Sequence, residues 1–168
     1  HVDVALARLE YWLRKMASQN RFPIIVIDDA QAITDKSVLQ SLQLLMNYQH
    51  TDGMEFTLIL AGHPELVASV KRLPQLEDRV SMTCVLQPMS LAETKAYIGH
   101  RLHAVGGTRQ IFSDAAMTVI HELSGGLPRR INRLCDYSLL VGYAEELSEI
   151  DSDHVENVHA ELMLSRAA

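Results

Sequence analysis

The run Phe22-Pro23-Ile24-Ile25-Val26-Ile27-Asp28-Asp29-Ala30-Gln31 constrains this chain more than any other. Four consecutive branched apolar residues ending in paired carboxylates predict a buried strand that delivers acid groups to its C-terminal edge. Ligand sites of parallel sheets lie at that edge. In phosphoryl-transfer chemistry the first acid of such a pair holds Mg²⁺ on the nucleotide and the second orients or polarises the attacking water. Residue type alone leaves a second reading open, a strand end whose carboxylates cap the following helix. An absence matters as much: no G-x-x-x-x-G-K-[ST] loop, which would wrap phosphates and supply a cationic Lys, occurs in the chain.

The periodicity around this strand alternates. Leu6, Leu9, Leu13 and Met16 recur at helical spacing and predict an amphipathic helix ending near Gln19-Asn20. Thr34 and Asp35 offer cap oxygens to a second helix with the stripe Val38, Leu42, Leu45 and Met46, and Asp52-Gly53 marks a turn. Phe56 to Ala61 reads as a second buried strand ending in Gly62-His63-Pro64-Glu65. A short helix from about Pro64 to Arg72 leads past Pro74 to a third strand at Val80 to Leu86. Alternating helix and apolar strand predicts a three-layer α/β core with parallel strands.

After Pro88 the strand pattern stops. Ser90-Leu91-Ala92-Glu93 is a capping box, and the helix it opens carries Ile98, Leu102 and Val105, with Gly106-Gly107 to end it. Further helices are predicted from Ser113 to Leu123, from Pro128 to about Ala144, and from Asp151 to Leu164. The expectation is two domains, an α/β unit over 1–88 and an all-helical unit over 89–168.

With 168 residues, 48% of them hydrophobic, the chain can bury a core. Its formal net charge of −6 gives no general pull toward nucleic acid or anionic membrane. Cys84 and Cys135 read as reduced core thiols, which fits a reducing, cytoplasmic compartment. No apolar run approaches the roughly 20 residues of a spanning helix. His100 and His103, three apart on a helix, read as an exposed face rather than a metal pair, and the Glu145, Glu146 and Glu149 cluster as a solvated turn.

In order along the chain, Ile25-Val26-Ile27-Asp28-Asp29-Ala30-Gln31, Leu44-Leu45-Met46-Asn47, Leu60-Ala61-Gly62-His63-Pro64-Glu65-Leu66, Asp78-Arg79-Val80, Tyr97-Ile98-Gly99-His100-Arg101-Leu102 and Leu123 to Cys135 form one pattern. It resembles the AAA+ ATPases, and among them the ExeA/GspA-like secretion ATPases and their relative in mannose-sensitive pilus biogenesis. The resemblance implies a partial P-loop-type core followed by a helical lid, matched from the helix before strand 3. Strands 1 and 2 and the phosphate loop would then belong to a longer parent protein.

Carried over residue by residue, the resemblance makes Asp28 the Walker B acid, binding Mg²⁺ through water. Asp29 stands where the family usually has Glu to position the hydrolytic water, and is one methylene shorter. His63 occupies the sensor 1 position, where Gln is common; the plainer reading is a loop His that caps a helix or faces solvent. Arg79 is placed as an arginine finger, with Arg72 as the alternative, and a surface Arg paired with Asp78 or Glu77 as the other reading. Arg129 in Gly126-Leu127-Pro128-Arg129 corresponds to sensor 2, or with Arg130 and Arg133 forms a basic stripe. Tyr97 and Ile98 are either an apolar wall against adenine or plain core.

The resemblance further implies ATP and Mg²⁺ as ligands, a homo-oligomer with sites between subunits, and an inner-membrane secretion or pilus assembly partner. It implies a cytoplasmic protein, at the inner face of the bacterial inner membrane in some cases. Two other readings remain open: a DNA-associated ATPase of the transposition-helper type, and a non-catalytic interaction module that keeps the fold.

Overall fold

A computed structural model describes residues 2–51, 55–107 and 109–167; the predicted Asp52-Gly53 turn lies outside them. The chain divides into two compact units, His1–Val85 and Leu86–Ala168.

In the first unit, helix α1 (Val2–Ser18) leads into strand β1 (Ile24–Ile27), a 3-10 turn over Ala30–Ala32, helix α2 (Lys36–Thr51) and strand β2 (Thr57–Leu60). Asp35 caps α2, its Oδ1 accepting from Ser37 N at 2.8 Å. That hydrogen bond holds the Asp35 carboxyl below its ordinary pKa. The two strands are parallel, in the register Ile24↔Thr57, Ile25↔Leu58, Val26↔Ile59, Ile27↔Leu60. A parallel pair needs a crossover between its strands, and α2 lies on that connection. Leu13 of α1, Leu45 of α2 and Phe56 form a buried cluster, with Ile25 and Leu58 of the strands packed against it. Each such burial contributes about 1.5–3 kcal/mol, so a few side chains hold the helices to the sheet.

Two expectations for the strands are corrected here. Only the Ile25, Ile27, Leu58, Leu60 side of the sheet is partly covered, whereas Ile24 is 66% and Val26 59% exposed. The continuous apolar run is the pattern of a strand covered on both faces, and among the described residues of this unit one face stays open. The third strand, predicted at Val80 to Leu86, does not form: those residues follow helices α3 (Glu65–Lys71) and α4 (Pro74–Glu77) as an exposed segment without ladder partners among the described residues. A strand exists only where a neighbour supplies its hydrogen bonds, and local sequence cannot provide one. Cys84 sits in this segment and is exposed, so it is not a core thiol.

The second unit contains helices α5 (Leu91–Ala104), α6 (Asp114–Ser124), α7 (Pro128–Ala144) and α8 (Ser152–Ala167). Their starts follow from their caps. Ser90 Oγ accepts from Glu93 N at 3.3 Å while Ser90 N donates to Glu93 Oε2 at 2.8 Å. Ser113 Oγ accepts from Ala116 N, Asp151 Oδ1 accepts from His154 N, and Pro128 opens α7. The hydrogen bonds from Ser90 N and His154 N hold the Glu93 and Asp151 carboxyls below their ordinary pKa. Their contribution to stability is therefore present above the unfolded pKa and lost as pH falls through the lowered folded values.

The core gathers Ile98, Phe112, Ile120, Ile131 and Val155 from all four helices and the segment before α6. A parallel bridge between Phe112 and Ile150 ties the segments that precede α6 and α8. Cys135 is buried in this core, and burial pushes its thiol pKa up to about 12. Buried Thr94 meets His121 Nδ1 at 3.0 Å, so its hydroxyl is satisfied.

Gly126 decides how α7 begins. Its φ is 71°, its carbonyl accepts from Met89 N at 2.9 Å, and a Cβ there would fall onto the Met89 carbonyl oxygen. Gly126→Ala is expected to cost about 2 kcal/mol or more, from the left-handed conformation together with the backbone collision. Urea unfolding of the chain checks this. An unchanged midpoint would mean that the Gly125-Gly126 loop takes another path.

Candidate active site

The end of the parallel pair is built by hydrogen bonds that continue beyond the ladder. Ala61 N donates to Ile27 O and Ala30 N donates to Ala61 O, both at 2.9 Å, so the chain leaving β1 is held against the chain leaving β2. Asp28 follows β1 directly, and its Oδ1 accepts from Asp29 N at 2.9 Å. Asp29 turns into the left-handed region at φ 50°, ψ 36°, a conformation that Asp tolerates better than most residues. The turn brings Gln31 round to face it, with Gln31 Nε2 donating to Asp29 Oδ1 at 3.0 Å.

Gln31 Oε1 in turn accepts from His63 N at 3.1 Å. Asp28, Asp29 and His63 are thereby gathered at one end of the sheet, and all three side chains are exposed. Neither acid caps α2, a role taken by Asp35, so the cap reading of the pair does not describe the structure. The His63 carbonyl accepts from Leu66 N in the first turn of α3.

The other residues singled out from sequence are carried by other elements. Arg72 ends α3, and Arg79 follows α4 with its backbone N–H on Leu76 O; both side chains are exposed. Arg129 is exposed in the first turn of α7, in the helical unit. Tyr97 is half-buried, its hydroxyl donating to Asn132 Oδ1 at 3.0 Å, and Ile98 is buried among the core residues of that unit. Gln31 appears in the sequence motif but received no role there. The signal was an amide side chain, both donor and acceptor, two residues after an acid.

Among the described residues no group of three or more His, Cys, Asp or Glu could hold a metal ion by itself. Mg²⁺ does not need such a cage, because it keeps several waters and takes one or two carboxylates plus substrate phosphates. An exposed aspartate at a strand end fits that donor set.

No family model matches the chain. Over 158 residues, 93% of the chain, it is 31% identical to general secretion pathway protein A of Aeromonas hydrophila. Over 162 residues it is 28% identical to an uncharacterised HTH-type transcriptional regulator of Methanocaldococcus jannaschii. The chain spans 27% and 39% of the lengths of these two relatives. Structures of two Thermotoga maritima RuvB variants match it with TM-scores of 0.68 and 0.67 at 21% identity, over 89% of this chain and 49% of theirs.

The chain has a partial AAA+ fold. Its two parallel strands are the α/β part and α5 to α8 the helical part of that fold. At this identity the likeness to RuvB is one of architecture. Within the AAA+ frame, the acid-bearing strand end is the feature with chemical content.

Proposed function

We propose that the chain is part of an AAA+ ATPase of the GspA-like branch that energises assembly of a secretion or pilus complex. The observation that carries this reading is the gathering of Asp28, Asp29 and His63 at the end of a parallel pair in a partial AAA+ fold. The 31% identity to general secretion pathway protein A supports the branch. Both relatives extend well beyond the matched region, which supports a longer parent that supplies the phosphate loop.

In this reading Asp28 would hold Mg²⁺ through water, and the ion when bound would supply charge neutralisation at the phosphates. Asp29 orients the attacking water and accepts its proton, and His63 contacts the γ-phosphate or that water from the β2 end. Arg79 acts on the neighbouring subunit's nucleotide in a homo-oligomer. Arg129 carries lid movement to the phosphates, and Tyr97 supports the adenine side of the lid, with Ile98 in the core of the helical unit. The partner is an inner-membrane assembly protein and the setting is cytoplasmic, at the inner face of that membrane. Among the described residues no helix is long and apolar enough to cross a membrane.

A DNA-associated ATPase is the second reading, favoured by the relative described as an HTH-type regulator. The net charge of −6 weighs against it.

Calorimetric titration tests the reading. The chain alone is expected to show no ATP binding at micromolar protein, because backbone amides and the Lys of a phosphate loop supply most phosphate contacts in this class. The full-length protein is expected to bind ATP with Mg²⁺. Submicromolar, Mg²⁺-dependent binding by the chain alone would overturn the assignment of its strands.

A further inference from the structure

We propose that Gln31 is a positioning residue that aims the Asp29 carboxylate and couples it to the loop carrying His63. This rests on the ATPase reading above and extends it to a residue to which that reading gives no role.

The geometry is a two-armed bridge. One arm runs from Gln31 Nε2 to Asp29 Oδ1 at 3.0 Å, the other from His63 N to Gln31 Oε1 at 3.1 Å. The carboxylate can only accept and the backbone N–H can only donate, so one orientation of the amide satisfies both arms and the flipped one satisfies neither. Gly62 is part of the same device, since a Cβ at that position would fall onto Gln31 Oε1. The bridge thus requires a residue without a side chain just before His63.

Its consequence follows from reach. An aspartate is one methylene shorter than a glutamate, so a water-orienting Asp29 has little freedom to find its target and must be aimed by its surroundings. Asp29 is exposed and could otherwise swing about χ1. Gln31 occupies one carboxylate oxygen and leaves the other to face the reacting water. The second arm ends on the backbone of His63, so a shift of that loop draws on the amide and turns the carboxylate with it.

The test uses the full-length oligomer with Gln31→Met, which keeps the length of the side chain and removes both arms. Turnover is expected to fall about tenfold to a hundredfold with KM for ATP unchanged. Gln31→Glu keeps an acceptor for His63 N but sets a carboxylate against Asp29, and it is expected to lose turnover as well. In an Asp29→Ala background Gln31→Met should have no further effect, because a residue acting through Asp29 is silent once that carboxylate is gone. Effects that multiply in the double variant, or a Gln31→Met protein with the unmodified kcat, would overturn the proposal while leaving the ATPase reading intact. An unmodified protein that does not hydrolyse ATP would overturn both.

Discussion

Replacing Asp28 by Ala in the full-length protein is expected to reduce Mg²⁺-dependent ATP turnover by about 10- to 100-fold, the scale on which an outer ligand to a metal controls activity. The residue follows β1 directly and its side chain is exposed there, with one carboxylate oxygen accepting the Asp29 amide. That bond fixes the carboxylate's direction and is lost with it. ATP binding without Mg²⁺ should survive the substitution, because the phosphate loop of the parent holds the nucleotide. Asp29→Glu serves as the comparison and is expected to preserve or raise turnover, its longer reach restoring the side chain common at that position. Steady-state phosphate release at saturating ATP, with and without Mg²⁺, separates these outcomes. If Asp28→Ala hydrolyses ATP at the unmodified rate, Asp28 is not the acid that holds the metal, and the assignment of the strand end as the metal-binding edge of the site fails.

How much of this was legible in the sequence depended on how local each cause is. The start of α7 at Pro128 and the starts of α5 and α8 beside Ser90 and Asp151 were readable because the capping residues and the amides they serve lie within one turn. The segment from Val80 to Leu86 was not, since its apolar character resembles a strand while its ladder partner would have to come from far away in sequence. The same distance hid the site's organisation. Gln31 and His63 are 32 residues apart, and the register Ile27↔Leu60, which brings their neighbourhoods together, belongs to the sheet rather than to either strand. Ile98 illustrates the opposite difficulty. Its helical spacing was compatible with a nucleotide wall and with plain core, and burial in the helical unit shows which surroundings it has.

Arg79 is expected to act in trans, and subunit mixing is the experiment that isolates this. It is exposed just beyond α4, on the side chain type that can donate two parallel hydrogen bonds to phosphoryl oxygens. An arginine finger is worth about 10³–10⁵ in turnover where it acts, so Arg79→Ala alone should nearly silence the oligomer. An oligomer of Asp28→Ala subunits should be strongly impaired for a different reason, the loss of the metal-holding acid. When the two variants are mixed, some interfaces pair an intact acid on one subunit with an intact finger on the next, and activity should partly return. A finger acting within its own subunit predicts no recovery, because every subunit in the mixture then carries one defect in its own site. Sedimentation of each variant must first show the same assembly as the unmodified protein. If Arg79→Ala alone hydrolyses ATP at the unmodified rate in the oligomeric state, Arg79 is a surface residue, and Arg72 at the end of α3 becomes the residue to mix.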